Sequence, residues 1–255
     1  MVKDMDQEPE LEQEENEKKI KKPKKPKAKA QEESARVGET DQAQPSTIFY
    51  LHSLLLFGGR MMHRALGFYN SLFDLTPADK ARIYRNISHH YGNKGLHDKA
   101  LDYLKEWAKL DPNNPDPHYQ LGIAMASSGD HKRAIRSYEA ALKLNPNHKE
   151  AMYRKSALCL KLKDYKGAVE GLEQLIKMVP DNAKAHYLMG ISFDRMGEVD
   201  KAIEALQKAA ELEPEEIKYH QHLGFLYERK EDHKQAARCF SRVMELQREQ
   251  DDDDE

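Results

Sequence analysis

Pro112, Pro146, Pro180 and Pro214 follow one another at intervals of 34 residues. Ala100, Ala134, Ala168, Ala202 and Ala236 keep the same interval. So does a small residue (Ser88, Gly122, Ser156, Gly190, Gly224), and so does a bulky one (Leu104, Tyr138, Leu172, Leu206, Phe240). A period of this length means that one supersecondary unit is copied along the chain. One such unit cannot bury its apolar face alone, so the copies must stack on one another.

The unit is clearest between Asp116 and Asn147. Tyr119, Leu121, Gly122 and Met125 mark a first amphipathic helix, and Gly129-Asp130 breaks it. Ala134, Ile135, Tyr138, Ala141 and Leu142 then recur at i, i+3, i+4 and i+7, the spacing of a second helix with one apolar face. Pro146 prevents the helix from continuing. The alanine slot is placed where the two helices of one unit cross, because a larger side chain would push them apart. The glycine or serine slot does the same in the first helix. The bulky slot is expected to fill the gap between one unit and the next.

A 34-residue helix-turn-helix with small, large, Ala and Pro positions resembles the tetratricopeptide repeat, TPR. The resemblance implies an all-α, right-handed superhelical solenoid with a concave groove. Five repeats are placed at 81–114, 115–148, 149–182, 183–216 and 217–247, within a repeat region spanning 79–247. Residues 248–255 form an acidic tail, read as a solubilising end.

Residues 1–45 hold an acidic block, Glu8 to Glu17, and a lysine-rich block, Lys18 to Lys29. With no apolar periodicity, they are predicted to be a disordered charged arm. The plain reading is a solvated tail; the sharper one is lysine contact with anionic lipid headgroups at a membrane periphery. Residues 46–78 are read as a divergent first hairpin. Ser53, Ala65, Tyr69 and Pro77 fall in the small, alanine, bulky and proline slots, with one extra residue before Pro112. Phe49, Leu54, Leu55, Leu56 and Phe57 make this hairpin more apolar than a capping repeat should be. Such a face needs a partner, and these five residues are the candidate self-docking element. Thr76-Pro77-Ala78-Asp79 then opens the next helix, with Thr as N-cap and Pro at its first position.

First-helix positions are expected to line the groove. Tyr119, Tyr153 and Tyr187 make a ladder, and Ile123, Ala157, Ile191 and Phe225 make a second row. Arg85, Arg82, Glu150, Lys184, Asp194, Lys218 and Arg229 surround them. This mixed wall with an apolar stripe suits an apolar or amphipathic helix. A clamp for a peptide carboxylate fits poorly, because Glu150 stands where a cation would be needed.

Other function classes lack their signatures. The net charge of −3 gives no argument for bulk nucleic-acid binding. Only Cys159 and Cys239 are present, without metal spacing, which fits a reducing compartment. His89-His90 and the pair His220/His222 do not face one another on a helix, so neither makes a metal pair. No phosphate-cradling glycine loop or nucleophile elbow occurs, so no catalytic residue, metal or cofactor is expected. The run Ile48 to Phe57 is too short to span a bilayer, and no signal-peptide pattern opens the sequence.

Thr47-Ile48-Phe49-Tyr50, the Ala65 to Phe73 segment, Tyr84-Arg85, Ile87-Ser88-His89 and Tyr219-His220 to Glu228 resemble the magnetosome-associated MamA family. This likeness covers about residues 46–247. It implies a non-enzymatic scaffold, cytoplasmic and peripheral on the magnetosome membrane, that forms large homo-oligomers. The divergent hairpin of one copy would dock in the groove of the next, and other membrane-associated proteins would be recruited. The alternative is a monomeric TPR adaptor or assembly chaperone that holds a client peptide in its groove.

Overall fold

The computed structural model describes residues 75–253. The divergent hairpin through position 74, with Phe49 and Leu54–Phe57, and the charged arm therefore lie outside the described residues. The described chain is all helical. It pairs α1 (Pro77–Asn93) with α2 (His97–Leu110), α3 (Asp116–Ser127) with α4 (His131–Leu144), and α5 (Lys149–Lys161) with α6 (Tyr165–Met178). Then α7 (Ala183–Arg195) pairs with α8 (Val199–Leu212), and α9 (Ile217–Arg229) with α10 (His233–Asp253). Each helix packs on the one before it and the one after it, which builds a right-handed TPR solenoid of five hairpins.

The first helix starts where its sequence signals stand. The Thr76 side chain accepts from the Asp79 backbone N–H, and the Asp79 carboxylate accepts from the Thr76 N–H at 3.2 Å. Pro77 occupies the first turn, where a missing N–H leaves no bond unmade. The Thr76 hydroxyl bonded to Asp79 holds that carboxyl below its ordinary range. Asp130, Asp164 and Asn182 cap α4, α6 and α7 in the same way.

The turn inside each hairpin requires one residue with positive φ. Gly95, Gly129 and Gly197 supply it at φ 68°, 81° and 80°. In the same slot of the third and fifth repeats stand Lys163 and Glu231, at φ 65° and 61°. A side chain is disfavoured in this left-handed region, while glycine is not. Lys163→Gly is therefore expected to stabilise the protein by about 0.5–1 kcal/mol, read as a higher urea midpoint.

The five alanines of the repeat slot are all buried at the crossing of paired helices. The bulky slot lies over the small residue of its own hairpin and also joins the core clusters that run between repeats. A Cβ added at Gly190 would sit 2.6 Å from Leu206 Cγ, and one at Gly224 would sit 2.6 Å from Phe240 Cε1. The ring of Tyr138 occupies the same place over Gly122. The missing side chain of the first helix is thus the socket for the large side chain of the second. Leu172 and Leu206 are fully enclosed, while Phe240, in the last repeat, is only half-buried.

The C-terminal boundary also shifts. Helix α10 does not stop near residue 247 but runs through Asp253, so the acidic run begins inside it. Arg242 pairs with Glu245 at 3.2 Å and reaches Glu249 at 3.7 Å along its flank. No described helix is long and apolar enough to cross a membrane.

Candidate functional site: the face of the first helices

The first helices of successive repeats lie side by side, and three bonds tie them at a constant offset of 35 residues. Arg154 Nε donates to Tyr119 Oη at 3.1 Å. Tyr187 Oη and His222 Nε2 are 3.2 Å apart. Arg229 is paired with Asp194. Two further ties join the second helix of one hairpin to the end of the next first helix. Ser128 donates to Asp98 at 2.8 Å, and Lys230 to Asp200 at 2.5 Å. Both occupy equivalent repeat positions, so the polar straps repeat with the fold. They fix how neighbouring first helices are spaced, and so fix the surface those helices present.

The predicted groove residues occupy different depths on this surface. Arg85 on α1 is exposed. Tyr119 and Ile123 on α3 and Tyr153 on α5 are half-buried and present part of their surface. The ring of Tyr119 lies 4.6 Å from that of His148, which caps α5. Tyr187 and Ile191 are instead enclosed in the main core, at 8% and 3% exposure. Tyr187 is held down by the ring of Tyr219, 5.0 Å away, and meets His222 edge-on. Phe225 is at the other extreme, 50% exposed, with its ring edge-on to Phe240 at 5.4 Å. The ladder is therefore not a uniform wall. Its open part is Arg85, Tyr119, Ile123 and Tyr153, and Phe225 forms a separate apolar prominence in the last repeat.

The electrostatics are mixed. Lys218 lies over both the Tyr187 and Tyr219 rings, at 5.8 and 5.7 Å from their centroids. Burial lowers the pKa of His222, opposed by the Asp194 carboxylate and reinforced by Arg195. Glu150 is exposed beside His148, 3.4 Å away. Residues that sequence reasoning did not assign to this surface are His148 and His222. Their signal was positional: His148 stands just before a first helix, and His222 lies one residue beyond the position equivalent to the tyrosine slot.

Among the described residues no group of three or more His, Cys, Asp or Glu is placed to hold a metal ion. The Cys159 thiol is buried, and burial pushes its pKa up to about 11, so it is a poor nucleophile. Cys239 is also pushed up by burial. What the surface offers is a row of aromatic and aliphatic side chains edged by charge.

Tetratricopeptide-repeat family models match residues 81–114, 125–191, 183–216 and 217–250. A solved MamA from Desulfovibrio magneticus RS-1, beginning at its residue 41, is 53% identical. The similarity covers 68% of this chain and 98% of that one, with a TM-score of 0.66. The MamA RS-1 ArsTM double mutant is 51% identical over the same shares, with a TM-score of 0.67. Among curated proteins, Photosystem I assembly protein Ycf3 of Acaryochloris marina is 35% identical over 69 residues. That match takes in 26% of this chain and 42% of Ycf3, so the chain spans less than half of that relative. The repeat geometry, the family matches and the near-complete coverage of solved MamA chains place this chain among the tetratricopeptide-repeat proteins, as a member of the MamA family.

Proposed function

We propose that the protein is a non-enzymatic scaffold that assembles with copies of itself. The apolar hairpin of one copy, through Phe49 and Leu54–Phe57, docks on the first-helix face of another. The observation that carries this reading is the partly open row of Tyr119, Ile123 and Tyr153 beside exposed Arg85. An apolar hairpin can cover such a row, and MamA membership supports the assignment. A head-to-groove contact is heterologous, so it propagates into rings or open chains rather than closing as a pair. The assembly would sit on the cytoplasmic face of a magnetosome membrane and present its outer helices to other membrane-associated proteins, supporting magnetosome formation or activation.

A second reading is favoured by the likeness to Ycf3, which is named as an assembly protein. Here the chain is a monomeric adaptor, and its first-helix face holds a client peptide. The solution mass by light scattering on a sizing column separates the two. A large assembly of the pure full chain supports the scaffold. A monomer would overturn self-assembly and leave the face for a client.

A further inference from the structure

The last described hairpin carries a stacking face that no described residue covers. In the fourth repeat, Ile191, Ile203 and Ala210 are buried in a cluster they share with Tyr219, Leu223 and Leu226 of the hairpin that follows. Their equivalents 34 residues later are Phe225, Ala237 and Met244. Phe225 is 50% exposed, Met244 is 56% exposed against 9% for Ala210, and Ala237 is exposed. The apolar character of a repeat interface thus persists on a face that no described residue covers.

Helix α10 also has a distinctive charge order. Its first half holds Lys234, Arg238 and Arg242 and no carboxylate. From Glu245 onward, Glu249, Asp251 and Asp252 dominate, with Arg248 alone opposing them. Carboxylates at a helix C-terminus oppose the helix dipole and destabilise the last turn unless cations compensate. Arg242 offsets Glu245 and Glu249, but Asp251 and Asp252 make no ion pair within the described chain. Lys234 and Arg238 make none either; Arg238 contacts only Gln235, at 3.3 Å.

We propose that α10 packs antiparallel on α10 of a second copy, joining two solenoids tail to tail through the Phe225/Ala237/Met244 face. Met244 stands next to Val243, the midpoint of the 21-residue helix. A two-fold axis there sets the basic half of each helix against the acidic half of its partner. Lys234 then faces the region of Asp252 across the pair, and Arg238 faces the region of Glu249. Ala237, Ser241, Met244 and Arg248 lie within one narrow sector at 100° per residue, and Lys234, Arg238, Glu249 and Asp252 all lie on one flank of it. The helix is about 30 Å long, enough for a contact of ordinary dimer size when Phe225 joins it. This contact is isologous and closes at two copies. It is independent of the head-to-groove contact and goes beyond it, because it would cross-link chains that the first contact only lengthens.

Sedimentation equilibrium on the full chain carrying Leu55→Asp and Phe57→Asp tests the proposal with the head contact removed. The expected species is a dimer at high micromolar concentration. Adding Met244→Asp should give a monomer with unchanged far-ultraviolet circular dichroism, since Met244 is exposed. Lys234→Glu with Arg238→Glu should weaken the dimer at least about tenfold. Further addition of Asp251→Lys and Asp252→Lys should restore it, because an antiparallel pair regains opposite charges when both halves are exchanged. A monomer before Met244 is changed, a dimer that survives Met244→Asp, or a charge exchange that fails to restore association would each overturn the tail-to-tail pair. An assembly much larger than a dimer in the Leu55→Asp, Phe57→Asp chain would count against head docking instead. Within that assembly, an unchanged mass on adding Met244→Asp would overturn the tail contact as well.

Discussion

Leu55→Asp together with Phe57→Asp is expected to collapse the large assembly of the full chain to a species no larger than a dimer. Both residues lie in the run Leu54-Leu55-Leu56-Phe57, the most apolar stretch of the sequence. Under the scaffold reading this run leaves water when it docks on a neighbouring copy. Burying a leucine or phenylalanine side chain contributes about 1.5–3 kcal/mol each. Replacing both also places two carboxylates in an apolar contact, where an unpaired charge is strongly disfavoured. The combined loss is several kcal/mol, or a fall in association constant of more than about a hundredfold. Multi-copy assembly depends on that constant at every junction, so the change in mass should be abrupt. Circular dichroism should stay helical, because the five described hairpins have their own core. Light scattering that still finds the full-size assembly would show that the hairpin is not the docking element.

Leu172→Ala is expected to be the most destabilising of the simple truncations in the repeat core. Leu172 has no exposed surface and sits in the bulky slot of the central repeat, within the cluster that spans repeats three to five. Truncating a fully enclosed leucine removes its transfer free energy and leaves a cavity, at about 2–5 kcal/mol. In a stacked array each hairpin relies on its neighbours, so a loss in the central repeat weakens the interfaces on both sides. A decrease in melting temperature on the order of 10 °C follows for a domain of this size. Leu162→Ala is the matched control, because Leu162 is exposed beyond the end of α5 and its removal should stay within about 0.5 kcal/mol. A loss below about 1 kcal/mol at Leu172, or equal losses at the two sites, would contradict the packing described.

Much of the fold was legible because one spacing recurs. The alanine slot and the proline after each of the first four second helices stand where the 34-residue register placed them, and the Thr76 cap stands where Thr-Pro-Ala-Asp marks a helix start. Periodicity identifies a slot but not every neighbour that meets it: the seat of the bulky residue over the small residue of its own hairpin shows only in the packing. The end of α10 was missed because Asp251 and Asp252 carry no apolar period. Depth on the first-helix face was also hidden. Tyr119, Tyr153 and Tyr187 are equivalent by sequence, but Tyr187 is enclosed against the ring of Tyr219 while Tyr119 and Tyr153 are half-buried. In the last repeat the register shows that Phe225 follows Ile191, yet only the packing shows that half of it stays exposed.

In the scaffold reading, residues before Thr76 carry the assembly contact. The solution mass of the full chain, measured by light scattering on a sizing column beside a chain beginning at Thr76, decides this. A large assembly is expected for the full chain and a species no larger than a dimer for the shortened one. Equal masses for the two, whether both assembled or both small, would contradict it.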